Sequence, residues 1–175
     1  SGGVSVFVRE HIAQRTWEVA RVGDPVGCET LWLRIQSAFP DGRDMLLGAC
    51  YCSPQISTVY RSADGSGVAG RDIPEAVFGS ITGSLDRLRQ GNDKVVITGD
   101  LNVRIGNLDE RNPDNVINGG YLEALQHPRV SHDEGTNAFG RRLVTACREC
   151  GLFVVNGRVA GDQPAAHTFL SDELG

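Results

Sequence analysis

The sequence predicts a mixed α/β fold in which a sheet-on-sheet sandwich is covered by outer helices. Three observations lead to this expectation. In the first third of the chain two stretches alternate between apolar and polar residues and a third is mostly apolar. Two later stretches carry apolar residues at helical spacing. Each of these is followed by a short run of β-branched or apolar residues, which is typical of a strand buried on both faces.

These three early stretches predict a meander of neighbouring antiparallel strands. They are residues 3–9 (GVSVFVR), 30–36 (TLWLRIQ) and 45–52 (MLLGACYC). In the first stretch Val4, Val6 and Val8 share one face. The turn sequence Pro40-Asp41-Gly42 separates the second stretch from the third.

The two helical stretches cover residues 75–90 and 137–150. Phe78, Ile81, Leu85 and Leu88 form the stripe of the first helix, and Phe139, Leu143 and Cys147 form that of the second, which ends at Gly151. The apolar runs after them, 95–98 (VVIT) and 152–155 (LFVV), are the predicted buried strands. A polar stretch over 106–135, with a short helix at 121–126, is long for a compact domain and indicates a functional or mobile segment.

Composition limits the classes of function. With 22 acidic and 17 basic residues the net charge is −5, which excludes a domain held to nucleic acid mainly by bulk charge but not an enzyme with clustered carboxylates. The sequence has no apolar run of the roughly 18 residues that a membrane span needs, and no export signal. Five cysteines, an odd number, then favour reduced thiols in an intracellular protein, nuclear or cytoplasmic. We expect them to be buried; a zinc site formed by two cysteine pairs, Cys50 with Cys52 and Cys147 with Cys150, is the alternative.

The clearest chemical signal is Gly99-Asp100-Leu101-Asn102, directly after VVIT. This spacing places an acid and an amide together at the carboxyl end of a strand, where polar ligands commonly bind. An aspartate there can orient or deprotonate a water molecule. An asparagine can donate hydrogen bonds to charge that develops on a phosphate oxygen. The alternative is a turn whose polar side chains bond only to local backbone.

Six motifs along the chain carry a family resemblance. They are Gly2-Gly3-Val4, Glu29-Thr30-Leu31-Trp32, Tyr51-Cys52-Ser53-Pro54, Thr98-Gly99-Asp100-Leu101-Asn102, the block from Asn137 through Gly140, Leu143, Cys147 and Gly151-Leu152 to Asn156, and His167-Thr168-Phe169. In order and spacing they resemble the endonuclease/exonuclease/phosphatase family, most closely the endonuclease domain of non-LTR (LINE-type) retrotransposons. The resemblance implies a four-layered α/β sandwich, with residues 1–175 forming a single incomplete domain. It also implies cleavage of phosphodiester bonds with a divalent metal, usually magnesium.

The resemblance assigns roles to four residues. Asp100 orients or activates the attacking water, and Asn102 contacts the scissile phosphate. Tyr51 donates its hydroxyl toward the phosphate, or else is a strand-end tyrosine with a hydrated tip. Thr168 lies near the phosphate, or else is a structural strand residue. Glu29 lies in a strand motif and not at the position of the family's metal ligand, so we expect a structural role for it.

The resemblance is incomplete at both ends. The family places a metal-binding glutamate before the Gly-Gly-Val strand and a Ser-Asp-His sequence after the Thr-Phe strand, and neither has a counterpart in this sequence. The chain opens with Ser1 and its one methionine is Met45, so we expect a fragment. No metal ligand can be assigned beyond Asp100, and we expect the isolated chain to be poorly stable and inactive.

The resemblance also implies partners and leaves alternatives. DNA is the implied substrate, and a reverse transcriptase domain is implied in the same full-length protein. One alternative is a non-catalytic remnant of a decayed element. Another is a family phosphodiesterase or phosphatase that acts on a small or lipid phosphoester.

Overall fold

The computed structural model describes residues 3–22, 27–54, 57, 60, 73–91, 93–111, 128–159 and 161–165. Its elements are α1 (Glu10–Ala13), β1 (Thr16–Val22), β2 (Cys28–Ile35), β3 (Met45–Cys52), α2 (Ile73–Leu88), β4 (Lys94–Asp100) and α3 (Ala138–Cys150). The chain divides into two compact units, Ser1–Asn102 (unit 1) and Val103–Gly175 (unit 2), and each is described by itself. The mixed α/β class is confirmed. No helix in the described ranges is both long enough and apolar enough to cross a membrane.

Unit 1 contains a four-stranded sheet in the order β1-β2-β3-β4. The first three strands are antiparallel neighbours, and β4 pairs parallel to β3. The predicted antiparallel meander is therefore present, and its second and third strands lie where the sequence predicts them. The first strand is different, because β1 is formed by Thr16–Val22 and not by residues 3–9.

Residues 3–9 explain why that prediction was wrong. Val4, Val6 and Val8 are half-buried while their neighbours are exposed, so the alternation describes the side-chain faces correctly. They line a cavity of about 310 Å³ together with Leu31 and Leu33 of β2. Alternation specifies which side chains face the core but not which backbone groups pair, and this segment belongs to no strand of the described sheet.

The two faces of the sheet are covered differently. One face carries Trp32 and Leu46, both fully buried, and α2 lies on this side. Arg34 holds that helix in place, because its Nη2 donates to Leu88 O at 2.7 Å and its Nη1 pairs with Asp93 Oδ2 at 2.7 Å. The opposite face becomes open toward β4, where Val96 is 39% exposed. The prediction that VVIT is buried on both faces was wrong, because Val96 and Thr98 are exposed on this face and Val95 and Ile97 are only half-buried on the other.

Unit 2 is built around α3. Asn137 caps this helix by accepting a hydrogen bond from Gly140 N at 2.7 Å, and Gly151 ends it in the left-handed conformation with φ 65°. The predicted helix and its terminating glycine are confirmed. The predicted strand over 152–155 is wrong: Val155 is 58% exposed, and Val154 N donates to the side chain of Glu110 rather than to a neighbouring strand.

The short helix predicted at 121–126 and the strand that contains Thr168 lie outside the described residues.

Candidate functional site

Tyr51 and Asp100 meet at one end of the sheet. They are register partners in the parallel pair β3 and β4. Register partners on adjacent strands point to the same face, with backbones about 4.8 Å apart. Tyr51 is half-buried and Asp100 is exposed, so both side chains lie at the accessible, open face of the sheet. The structure thus brings together two of the residues that the sequence singles out.

Asn102 is anchored beside this pair by two hydrogen bonds. Its backbone N–H donates to Asp100 Oδ1 at 3.0 Å, and its side-chain Nδ2 donates to Cys52 O at 2.8 Å. Its φ of 49° lies in the left-handed region, which asparagine tolerates better than most residues. The side chain therefore spans the ends of β3 and β4. The hydrogen bond from Asn102 N to the Asp100 side chain forms the local turn that was the alternative to a ligand site. The turn and the cluster of the three side chains are therefore both present.

Gly99 makes the close approach of the two strands possible. Its φ is 131°, and a Cβ atom on it would lie 1.9 Å from Cys50 O. An L-residue side chain cannot occupy this position without moving the backbone of β3. The glycine before Asp100 is therefore required by the strand pairing that sets Asp100 next to Tyr51.

Glu29 lies in the same row of residues. It is the register partner of Tyr51 on β2, so Glu29, Tyr51 and Asp100 cross three adjacent strands on one face. Two strand spacings separate the two acidic residues, roughly 10 Å between backbones. Sequence reasoning assigned Glu29 to the scaffold, and only the pairing register of β2 with β3 reveals its position. Its negative charge helps to raise the pKa of Arg21, although the hydrogen bond from Arg21 to Glu18 contributes most.

The described residues do not provide a magnesium site. They contain no group of three or more histidine, cysteine, aspartate or glutamate side chains placed to hold a metal ion. Mg²⁺ is usually held by one or two carboxylates and completes its oxygen ligands with water and substrate phosphates. Asp100 is one such carboxylate, and Glu29, in the same row, lies two strand spacings away.

The cysteines are free thiols, and four of the five are buried. Burial raises the pKa of Cys50 and of Cys147 to about 12. A hydrogen bond to Cys28 and burial raise the pKa of Cys52, and the negative charge of Asp100 adds to the effect. The burial of four of the thiols agrees with the core role expected for the cysteines.

Thr168, the fourth residue named from the sequence, lies outside the described residues. Three of the four site residues can therefore be placed, and all three lie at the ends of β3 and β4. Compared with family models, with curated proteins and with solved structures, the chain matches none.

Proposed function

We propose that unit 1 carries the phosphate-binding part of a phosphodiesterase site and that the substrate is DNA, as in a retrotransposon endonuclease. The observation that carries the proposal is the clustering of a phenol, a carboxylate and an amide at the ends of two paired strands. In the sequence Tyr51 and Asp100 are 49 positions apart, and strand register makes them neighbours.

Each group has a chemical task in this proposal. The Tyr51 hydroxyl and the Asn102 amide are hydrogen-bond donors suited to phosphate oxygens. The Asp100 carboxylate is suited to orient a water molecule and accept its proton. The bond from Asn102 Nδ2 to Cys52 O fixes the amide, so its hydrogen-bonding atoms are oriented before a ligand binds.

In this proposal a metal ion would have to be bound by residues other than the described ones. When bound, it would polarise the phosphate and neutralise charge on its oxygens. The roles given to Tyr51, Asp100 and Asn102 do not depend on it.

The binding roles are tested without cleavage, by fluorescence anisotropy of a labelled DNA duplex in the absence of metal. Tyr51→Phe should weaken binding roughly tenfold, because it removes one hydrogen bond to a charged oxygen. Asp100→Asn should tighten binding about fivefold, because charges about 4 Å apart in water repel by about 1 kcal/mol. The matched control is Asp86→Asn, which removes the same charge from the exposed side of α2. If Tyr51→Phe and Asp100→Asn both bind DNA as the wild type and the control do, the proposal is wrong.

The cleavage role needs a separate measurement. Sequencing the gene on either side of the chain shows whether a glutamate-bearing strand, a Ser-Asp-His sequence and a reverse transcriptase are encoded there. In a protein that contains them, Asp100→Ala should abolish plasmid nicking with magnesium while DNA binding persists. Nicking at the wild-type rate by this variant would remove Asp100 from the mechanism.

The substrate class is tested by competition. Unlabelled DNA should displace the labelled duplex at far lower phosphate concentrations than an inositol phosphate does. The opposite order would favour a small or lipid phosphoester as the substrate.

A further inference from the structure

Two buried cysteines face each other at the end of the sheet that carries the candidate site. Cys28 is the first residue of β2, Cys52 is the last residue of β3, and the two are register partners. Their Sγ atoms lie 2.9 Å apart. A disulfide bond is 2.03–2.05 Å long, so an approach of about 0.9 Å would bring the sulfurs to bonding distance.

The backbone geometry also suits a disulfide. Ser53 N donates to Gly27 O at 2.7 Å, so the next pair outward, Gly27 with Ser53, is a hydrogen-bonded pair. Hydrogen-bonded and non-hydrogen-bonded pairs alternate in antiparallel ladders, which makes Cys28 and Cys52 a non-hydrogen-bonded pair. Such pairs have Cα atoms about 4.5 Å apart, within the range of about 4.4–6.8 Å found in disulfides.

The third cysteine of the sheet provides a selectivity argument. Cys50 is buried on the same face as Cys52, two residues earlier on β3. Its register partner on β2 is Thr30, so no thiol lies directly opposite it. The geometry therefore distinguishes Cys28 with Cys52 from Cys28 with Cys50.

We propose that Cys28 and Cys52 are an oxidation-sensitive dithiol, closed to a cross-strand disulfide by a low-molecular-weight disulfide such as oxidised glutathione. One protein thiolate attacks the oxidant, forming a mixed disulfide and releasing one reduced glutathione. The second protein thiolate attacks the mixed disulfide and releases another. Two protein thiols are oxidised, one glutathione disulfide is reduced to two thiols, and no other reactant is needed.

The bond would act on the candidate site through the backbone. Asn102 Nδ2 donates to the carbonyl oxygen of Cys52, so joining Cys52 to β2 fixes the strand end that holds Asn102. The proposal itself does not depend on the proposed function, because it rests on the pairing of β2 with β3 alone.

Burial sets the rate of this exchange. Cys28 is 3% exposed and Cys52 is fully buried, so an oxidant reaches them only when the strand ends open. The reaction should be slow in the folded protein, and the disulfide should resist reduction once it is formed.

The experiment uses the purified 175-residue chain, incubated with oxidised glutathione, alkylated, and digested with trypsin without reduction. The expected product joins peptide 22–34, which contains Cys28, to peptide 44–61, which contains Cys50 and Cys52. Cys50→Ser should keep this linkage and Cys52→Ser should lose it. The oxidised wild type should melt roughly 5–10 °C higher than the reduced protein, because the cross-link constrains the unfolded chain.

Three results would overturn the proposal. They are a linkage that survives Cys52→Ser, oxidation that yields only mixed disulfides at single cysteines, and cysteine pairings as scattered as those formed in denaturant.

Discussion

The cores of the two units differ in how much charge they bury. In unit 1 the largest fully buried side chains are apolar, among them Trp32, Leu46 and Phe78, and the buried Arg34 pairs with Asp93 beside α2. In unit 2 Phe139 is fully buried as well, but three charged residues are buried with the apolar ones: Glu110, Arg129 and Arg158. An apolar core tolerates approximate packing, whereas a buried charge requires a specific partner. Unit 2 is therefore the part of the chain in which a single polar substitution should do the most damage.

The charged core of unit 2 is centred on Glu110. Arg158 Nη1 donates to Glu110 Oε1, and both side chains are fully buried. Val154 N donates to the same carboxylate oxygen at 2.8 Å, and Arg158 Nη2 reaches Asp109 Oδ1 at 3.0 Å. One carboxylate therefore fixes both an arginine and the backbone after α3. This arrangement gives the apolar run 152–155 a backbone partner other than a strand.

Arg129 lies in the same core and is less well satisfied. It is 4% exposed, and within the described part of the chain its Nε and Nη2 atoms have no hydrogen-bond partner. Burial lowers the pKa of Arg129, and the charge of Arg158 adds to this, while Glu110 opposes it. Because the hydrogen bonds of this buried cation are only partly satisfied, substitutions in the polar core should be costly in stability.

The largest effect is expected at Glu110. Glu110→Ala should lower the free energy of unfolding by roughly 3–5 kcal/mol, because the buried Arg158 loses its buried carboxylate partner and keeps the more exposed Asp109. The double variant Glu110→Met with Arg158→Met should lose far less, since it removes both charges at similar volume. Urea denaturation, monitored by amide hydrogen exchange in unit 2, measures the free energy of unfolding of both variants. Equal losses in the two variants would show that the ion pair is not what holds this core.

An apolar substitution in unit 1 should be about as damaging, by a different mechanism. Trp32→Ala should cost roughly 3–5 kcal/mol through lost burial and the cavity left behind. Trp32 packs over Gly48, where an added Cβ would lie 2.7 Å from its ring, so no neighbouring side chain on β3 fills the space. Trp32→Phe is the control and should lose about half as much or less. Denaturation curves that report on unit 1 measure the two losses. A loss below 1 kcal/mol in the free energy of unfolding of Trp32→Ala would mean that the sheet is not packed as described.

Several of the regular elements were predictable because their patterns are local. The sequences of β2 and β3 are largely apolar and are separated by a turn sequence, and α2 and α3 carry apolar residues at helical spacing. The first strand was misplaced because residues 3–9 alternate better than Thr16–Val22, although the latter pair with β2. Similarly, VVIT and LFVV were predicted to be buried strands, and neither is enclosed. Periodicity does not reveal which strand is last in a sheet or which backbone groups bind a side chain instead of a strand.

For the candidate site, the sequence could predict only what is local. The spacing of Asp100 and Asn102 places them together whatever the rest of the fold does. The neighbourhood of Tyr51 and Asp100 depends on the parallel pairing of β3 with β4, and that of Glu29 on the register of β2 with β3. Sequence spacing does not reveal a register between residues 49 positions apart, such as that of Ala49 with Thr98, whose strands are joined through α2.

A smaller effect is expected at the helix cap of unit 2. Asn137→Ala should destabilise the protein by about 1 kcal/mol, because Gly140 N loses its capping acceptor. Asn137→Asp is the control and should retain most of the stability. Thermal unfolding of the two variants separates them, and an unchanged melting temperature for Asn137→Ala would contradict the cap.

The smallest effect is a dependence on acid in unit 2. Burial raises the pKa of the Asp109 carboxyl, but hydrogen bonds and charge from Arg111 and charge from Arg158 outweigh it, so the pKa lies below its ordinary value of 3.8. A lowered folded-state pKa adds stability that is complete above the unfolded value and is lost as the pH falls through the folded value. We expect less than about 1 kcal/mol, because the pair is partly exposed. Asp109→Asn should lose this part of the acid dependence below pH 4, and an unaltered curve would contradict it.

The side-by-side placement of Tyr51, Asp100 and Asn102 as a phosphodiester site is tested most directly by NMR titration of the chain with a short DNA duplex. The account predicts that the largest backbone amide shifts fall on residues 51–53 and 99–102, with Asp86→Asn leaving them unchanged. Shifts confined to other surfaces, such as the arginines of α3, or no shifts at all at saturating DNA, would contradict it.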